Sequence, residues 1–173
     1  MREGDDFDAF YANTSRRMVG QVYAMVGSLT DAEDAVQEAY SRAWQRWSKI
    51  QQYGDPEGWV RTVAYRIAVS AWRKAANRLV AHRRHGVADD VPGTSADQIA
   101  LAHALKQIPA DQRRAIVLFH LVGLSVAEIA AETGSPTGTV KARLARGRKA
   151  LAGHVSEFAD DESTAGGREA QHA

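Results

Sequence analysis

The sequence contains no cysteine among its 173 residues, which excludes disulfide bonds and thiolate metal sites. No apolar run approaches the roughly 20 residues that a membrane-spanning helix needs. The N-terminal segment MREGDDFDAF is acidic and lacks the basic and then apolar pattern of a signal peptide. We therefore expect a soluble, cytoplasmic protein without membrane insertion.

The residue combinations of an enzyme are also missing. The only close pair among the six histidines is His82 and His85, which lies in a basic stretch that would repel a metal ion and has no carboxylate beside it. We find no nucleophile paired with a general base and no glycine-rich phosphate loop. We expect no catalytic activity, no metal site and no cofactor.

Two blocks of the chain contain no acidic residue at all. Residues 58–86 hold seven basic side chains and residues 135–153 hold five, although the net charge of the chain is only +1. Residues 1–57, in contrast, hold ten acidic and six basic side chains. Two positive blocks indicate two contacts with a polyanion, and the acidic first block suggests a different partner with a basic surface.

The patterns that are present are helical, and neither a β-strand pattern nor an internal repeat stands out. Apolar residues recur at spacings of three and four, beginning with a helix that starts at Asp5 or Asp6. A second helix is predicted to open at Thr30, with Glu33 completing a capping box. Asp55 caps the third helix, whose first residue is Pro56.

Composition divides these helices into two groups. Residues 86–96, GVADDVPGTSA, have the composition of a linker. The sequence therefore predicts an all-α fold of two small helical domains, residues 1–85 and 97–153, joined by a flexible linker. The acidic tail over residues 154–173 is expected to be disordered.

The second helix has an apolar stripe and an opposite polar side. The polar side carries Asp34, Gln37, Glu38 and Arg42. Periodicity alone favours a solvated face for these residues. It places Trp44 and Trp47 in the core.

The third helix combines aromatic and basic residues. Its predicted core face consists of Val60, Val63, Ala64, Ile67 and Ala71, and its flanks hold Arg61, Tyr65, Ala68 and Trp72 on one side and Trp59, Arg66, Ser70 and Arg73 on the other. Aromatic rings interleaved with arginines suit single-stranded bases and their phosphates. The alternative is a core edge with arginines reaching into water, and for Trp72 alone we favour burial.

A helix-turn-helix is predicted over residues 124–151. Ser125 and Glu128 form a capping box, and Gly134 can adopt the positive φ that ends a helix. Ser135 and Pro136 suit the start of a second helix, which would pack through Val140 and Leu144. Its outer surface is basic. A helical hairpin with a solvated charged face is the alternative, but the combined features favour a helix that enters a DNA major groove.

Three segments together resemble the extracytoplasmic-function (ECF) sigma factors of bacterial RNA polymerase. DAEDAVQEAYSRAWQRW, residues 31–47, resembles sigma region 2.2. PEGWVRTVAYRIAVSAWRK, residues 56–74, resembles regions 2.3 and 2.4, and residues 101–151 resemble region 4. The resemblance implies a promoter-specificity subunit that binds core polymerase and promoter DNA.

The resemblance also implies roles for individual residues. Asp34, Gln37 and Glu38 would dock on the clamp helices of the polymerase β′ subunit, and the apolar surface of residues 101–122 would bind the core as well, which implies contacts with β′ and β. The implied −10 contacts are Trp59, Arg61, Tyr65, Arg66, Trp72, Arg73 and Lys74. The implied −35 contacts are Lys141, Ala142, Ala145 and Arg146 at base-facing positions, with Arg143 and Arg148 at phosphates. Many members of the family are held by an anti-sigma factor, which is a further expected partner.

Two positions depart from the family pattern, in which an asparagine is followed four residues later by an aspartate. Arg66 replaces the asparagine and Ser70 replaces the aspartate, so the −10 preference is expected to differ. At the −35 element, Ala142 and Ala145 can offer only methyl contacts, for example to thymine. Specificity there would rest on Lys141, Arg146 and DNA shape.

A freestanding helix-turn-helix regulator is the competing hypothesis. Residues 1–85 would then form a dimerisation or effector domain, and the protein would bind duplex DNA tightly without polymerase. That hypothesis leaves the acidic face of residues 31–47 and the flank of Tyr65 and Trp72 without a role.

Overall fold

The computed structural model describes the backbone of residues 3–79, 101 and 104–166, and the side chains of residues 4–75, 101 and 104–153. Within those ranges the chain is helical and contains no strand, as the all-α prediction requires. The helices are α1 (Glu3–Val26), α2 (Leu29–Trp44), α3 (Trp47–Ile50), α4 (Pro56–Leu79), α5 (Ala110–His120), α6 (Val126–Thr133) and α7 (Thr137–Gly166). None of these helices is both long and apolar enough to cross a lipid bilayer.

The chain forms two compact units, Met1–Pro92 and Gly93–Ala173. The N-terminal unit contains α1 to α4, and the C-terminal unit contains α5 to α7. The predicted linker over residues 86–96 lies outside the described residues.

The N-terminal unit is built on a close approach between α2 and α4, with α1 packed against both. Met18, Val22 and Met25 supply the bulky core side chains of α1. The facing sides of α2 and α4 are lined instead by small residues, so the two backbones can come close together and still fill the space between them. We call this set the alanine seam: Ala32, Ala35, Ala39, Ala43, Ala64 and Ala68, all of which are buried.

An aromatic cluster closes one end of this unit. The Phe7 ring lies between the rings of Trp44 and Trp47, with centroid distances of 5.0 and 5.3 Å. The buried Tyr40 hydroxyl shares a hydrogen bond with the hydroxyl of Thr14, which in turn donates to the Phe10 carbonyl. Burial raises the pKa of Tyr40 to about 12, so its phenol stays neutral inside the cluster.

The start of α2 differs from the prediction. Gly27 has a φ of 81°, which ends α1 and turns the chain so that Ser28 becomes extended. The Ser28 hydroxyl then accepts a hydrogen bond from the Asp31 backbone N–H at 3.3 Å. The predicted cap at Thr30 with Glu33 is therefore wrong by two residues, because the glycine places the serine at the cap position.

The start of α4 matches its prediction, but the buried face of the helix is rotated about the helix axis relative to the predicted core face. The Asp55 carboxylate accepts a hydrogen bond from the Gly58 N–H at 2.8 Å, as a cap does. Gly58, Val60, Arg61, Ala64 and Ala68 are the buried residues of the described part of α4, whereas Val63 and Ile67 are half-buried. Ala71, which we expected in the core, is exposed. Two alanines of the seam, Ala64 and Ala68, lie on this buried face together with the larger Val60 and Arg61.

The C-terminal unit contains the predicted helix-turn-helix. Ser125 and Glu128 form a complete capping box at the start of α6, and Gly134 ends that helix with a φ of 63°. Val140 and Leu144 of α7 are buried, as is Ile129 of α6. α7 begins at Thr137, immediately after Pro136, and continues to Gly166. Residues 154–166 are therefore helical, and the expectation of a disordered tail is wrong for that segment.

α7 also packs closely on α5 at Gly147. A Cβ atom at this glycine would lie 2.8 Å from Cγ1 of Ile116 and 3.4 Å from the Gln112 carbonyl oxygen. The first distance is too short for a non-bonded carbon pair. The contact fixes how α7 sits on the α5 scaffold.

We expect Gly147→Ala to lower the free energy of unfolding of the C-terminal unit by about 1–2 kcal/mol. Overpacking a core costs about 1–3 kcal/mol, and the better helix propensity of alanine offsets up to about 1 kcal/mol of this. Denaturant unfolding followed by circular dichroism measures the change. Gly138→Ala is the matched control on the same helix, because nothing lies within 4 Å of its Cβ position. Equal stability of the two variants would contradict the close approach.

Candidate functional site

The outer face of α2 carries the three acidic and amide residues singled out in the sequence. Asp34, Gln37 and Glu38 are all exposed, and helical spacing places them on one side of the helix. Glu38 accepts a hydrogen bond from Arg42 at 2.8 Å, and both side chains are about half exposed. Asp34 makes no hydrogen bond or ion pair within the described part of the chain. This face can therefore offer carboxylate to a basic protein surface.

Exposed aromatic side chains border this acidic face. Trp44 is 51% exposed, so its predicted burial is wrong, whereas Trp47 is buried as expected. Trp44 and Tyr11 flank a groove of about 320 Å³, lined also by Gln37. Periodicity could not separate the two tryptophans, because they lie three residues apart on one helical side. Exposed aromatic rings beside polar and charged groups are typical of protein interfaces.

The outer surface of α4 carries most of the basic and aromatic residues predicted for the −10 site. Arg66, Arg73 and Lys74 are exposed, and Trp59 and Tyr65 are half-buried. Trp72 is 65% exposed, which contradicts our expectation of burial from the residue type alone. An indole with two thirds of its surface in water, next to cations, is available for stacking on a nucleobase.

Arg61 differs from the rest of this set. Its side chain is only 2% exposed, and its guanidinium lies 3.7 Å from the carboxylate of Asp55. It also supports the first turn of α4, where its Nη2 would lie 3.4 Å from a Cβ at Gly58. A buried, paired arginine stabilises the helix start, so its position does not suit the DNA contact that we predicted for it.

A second groove runs between α2 and α4. Its volume is about 680 Å³, and apolar side chains of Val63, Ile67 and Ala71 form part of its lining. The polar residues in the lining come from both helices: Asp31 and Arg42 from α2, and Arg66, Ser70 and Lys74 from α4. Three cations face one carboxylate in this groove, which suits an anionic or electron-rich ligand.

The helix-turn-helix presents the first half of α7 to solvent. Lys141, Ala145 and Arg146 are exposed and Ala142 is half-buried, so the predicted base-facing positions lie on one accessible side. Within the described residues, the side chains of Lys141 and Arg146 form no hydrogen bond or ion pair. At the start of α6, hydrogen bonds from the side chain and then the backbone of Ser125 lower the pKa of the Glu128 carboxyl. The carboxylate of the capping box therefore stays charged to a lower pH than an ordinary glutamate does.

Two further arginines of α7 are engaged within the protein. Arg143 donates to Asp111 of α5 at 2.9 Å and to Ser135 at 2.8 Å. Arg148 donates to His120 Nε2 at 3.3 Å, and its guanidinium carbon lies 5.2 Å from the centre of the Phe119 ring. These contacts tie α7 to α5. Sequence patterns do not predict them, because the partners lie 32 residues from Arg143 and 28 residues from Arg148.

Two apolar side chains are exposed in the segment that precedes the helix-turn-helix. Leu121, at the end of α5, is 58% exposed, and Leu101 is 49% exposed. Both belong to residues 101–122, where we expected an apolar surface for a protein partner.

The chain matches two protein families, Sigma-70 region 2 over residues 10–78 and Sigma-70 region 4 over residues 98–151. It is 33% identical to the ECF RNA polymerase sigma factor SigL of Mycobacterium tuberculosis, with 73% of this chain and 76% of the relative covered. It is 35% identical to the ECF RNA polymerase sigma-E factor of Escherichia coli, with coverages of 70% and 72%.

A solved structure is similar as well. The sigma factor RpoE of Bartonella quintana, determined in complex with the anti-sigma factor NepR, superposes with a TM-score of 0.77 at 25% identity. The match covers 87% of this chain and 97% of that one. The sequence relatives, the two family matches and this fold agree with one another. The chain therefore belongs to the extracytoplasmic-function sigma factors, which direct bacterial RNA polymerase to promoters.

Proposed function

We propose that this sigma factor binds core RNA polymerase through the acidic face of α2 and reads two promoter elements, the −10 with α4 and the −35 with α7. The observation that carries the proposal is that the N-terminal unit exposes two different surfaces, one acidic on α2 and one basic and aromatic on α4. One helix offers free carboxylate beside exposed aromatic groups, and another offers a 65% exposed tryptophan among cations. A freestanding regulator needs neither surface.

The two DNA contacts depend on each other through the polymerase. Each basic helix alone offers only a few contacts and would bind weakly. When both units are held on one large assembly, the second contact forms at a high effective concentration, and their combined affinity rises without new contacts. The acidic face that recruits the polymerase is therefore as important for promoter binding as the basic helices.

The structure supports a division of roles among the basic residues. Lys141 and Arg146 are exposed and have no partner among the residues that the structure describes, so they are our candidates for base contacts at the −35 element, with methyl contacts from Ala142 and Ala145. Arg143 and Arg148 are held by side chains of α5 or the turn, so they position α7 and present their remaining N–H groups to phosphates. At the −10 element, the proposed contacts are Trp59, Tyr65, Arg66, Trp72, Arg73 and Lys74, and Arg61 supports the helix from inside.

The remaining partners follow from the same surfaces. The β′ subunit would take the α2 face, and the apolar side chains of residues 101–122, with Leu121 exposed, would take the β subunit. An anti-sigma factor that covers these surfaces would keep the protein inactive, and the Bartonella quintana relative was solved with such a factor. The protein would act in the cytoplasm and would have no catalytic chemistry of its own.

The test is co-elution with sigma-free core RNA polymerase on a sizing column. The wild type is expected to form a stable complex, and Asp34→Ala with Glu38→Ala is expected to weaken it about tenfold or more, because both carboxylates would lie in a desolvated interface. Fluorescence anisotropy with labelled protein gives the dissociation constants. The matched control is Asp160→Ala with Asp161→Ala, which removes two negative charges from the acidic segment after residue 153 and leaves the α2 face unchanged.

Absence of co-elution by the wild type, together with tight duplex binding by the protein alone, would overturn the proposal in favour of the freestanding regulator. Equal weakening by the control pair would show that net charge matters and the α2 face does not.

A further inference from the structure

Arg66 occupies an unusual position on the groove between α2 and α4. The side chain of Arg66 is exposed and lines the groove together with Lys74 of α4 and Arg42 of α2. The apolar residues Val63 and Ile67 are also part of the lining. Arg42 is already paired with Glu38. The guanidinium of Arg66 has no hydrogen-bond or ion-pair partner within the part of the chain that the structure describes.

The residue one turn further on explains why this guanidinium is unpaired. Position 70 is a serine that lines the same groove, and a side chain at i+4 from Arg66 lies beside it on the helix. An aspartate there, as in the family pattern, would pair with the arginine and neutralise it. The two departures from that pattern are therefore coupled, because an uncharged residue at position 70 leaves the arginine without the competing i+4 carboxylate. The only carboxylate in the groove lining, that of Asp31, belongs to α2 and forms no ion pair with Arg66.

We propose that Arg66 is a specificity-determining residue that selects a guanine in the −10 element. This inference rests on the proposed function and assigns the chemistry of one contact within it. A free guanidinium presents two parallel N–H donors. They match the O6 and N7 acceptors of guanine better than they match the edge of any other base. An asparagine at the same position matches the N6 and N7 edge of adenine instead.

A phosphate contact is the alternative use of a free arginine. Two features favour the base. Lys74 in the same lining can act as a point charge for the backbone, and the apolar side chains of Val63 and Ile67 suit the flat edge of a base better than a hydrated phosphate. The fixed fork of arginine also gives a discriminator, since lysine can replace arginine fully at a phosphate but donates to the guanine edge without that preset geometry.

The experiment is selection of promoter DNA by the reconstituted holoenzyme from a library with a randomised −10 region, followed by sequencing of the bound fraction. The wild type is expected to enrich guanine at one position about tenfold, since one bidentate contact discriminates by about 1–3 kcal/mol. Arg66→Asn is expected to lose that enrichment at that position only. Arg66→Lys should weaken it, because lysine reaches the guanine edge without the fixed fork, and Ser70→Asp should reduce it by pairing the arginine. Ser70→Ala is the matched control and should keep it.

Several outcomes would overturn the inference. An unchanged base profile for Arg66→Asn would show that the residue does not read sequence. A uniform loss of affinity across all −10 sequences, restored by Arg66→Lys, would assign it to a phosphate. A wild-type holoenzyme that assembles but selects no −10 sequence would overturn the proposed −10 contact itself and this inference with it. The three results are distinguishable in one sequencing data set. Thermal unfolding of each variant checks that the exposed substitutions leave the fold intact.

Discussion

Replacing Lys141 and Arg146 with alanine is expected to weaken −35-dependent promoter binding by the holoenzyme about a hundredfold. Each residue is exposed on α7 without a partner in the described residues, and each base contact of this kind contributes about 1–3 kcal/mol. The loss should be largest for the preferred −35 sequence and small for a scrambled one. Competition binding with the two DNA fragments, at fixed salt concentration, measures the difference.

The matched control removes two positive charges at positions that we do not assign to DNA. Lys49→Ala with Lys106→Ala changes the net charge equally, and both side chains are exposed. This control should leave the ratio between preferred and scrambled DNA unchanged. If the Lys141 and Arg146 variant loses affinity equally for both fragments, its side chains contact phosphates, and the assignment of base reading to them is wrong.

Trp72→Ala is expected to slow promoter opening about tenfold or more while the holoenzyme still assembles. Stacking of one base on an aromatic side chain contributes about 1–3 kcal/mol, and this indole is exposed among cations on α4. Permanganate reactivity of unpaired thymines in the −10 region reports the opening. Trp72→Phe should restore most of the rate, because a phenyl ring still stacks.

Trp47→Ala is the control that distinguishes a loss of base stacking from a loss of protein stability. Its ring is buried against Phe7 and Phe10, so Trp47→Ala should lower the free energy of unfolding by about 3–5 kcal/mol. Trp72→Ala should leave that free energy nearly unchanged, since the side chain has little packing to lose. If a holoenzyme with folded Trp72→Ala opens the promoter as fast as the wild type does, Trp72 takes no part in DNA melting.

The features that the sequence predicted well are those set by neighbouring residues. The capping box of Ser125 and Glu128, the turn at Gly134 and the cap at Asp55 each depend on a few consecutive positions, and the structure confirms all of them. The cap of α2 failed for a local reason too, because the positive φ of Gly27 was not anticipated.

The features that the sequence predicted poorly depend on distant partners. Helical periodicity predicts which residues form the apolar side of a helix. Packing against the neighbouring helix determines which residues at the border of that side are buried. Trp44 and Trp72 are therefore exposed and Arg61 is buried, against expectation. The ties from Arg143 to Asp111 and from Arg148 to His120 could not be predicted, since they arise only when α7 lies on α5.

The alanine seam has a consequence for how this protein can diverge from its relatives. Many of the buried residues of α2 and α4 are alanines, with Val36, Val60 and Arg61 beside them, and the exposed positions of both helices take little part in the core. Substitutions on the outer faces leave the seam unchanged, so polymerase affinity and promoter preference can drift independently of the fold. A duplicated gene could acquire a new regulon through a few outward changes, and the proposed role of Arg66 would make positions 66 and 70 an example.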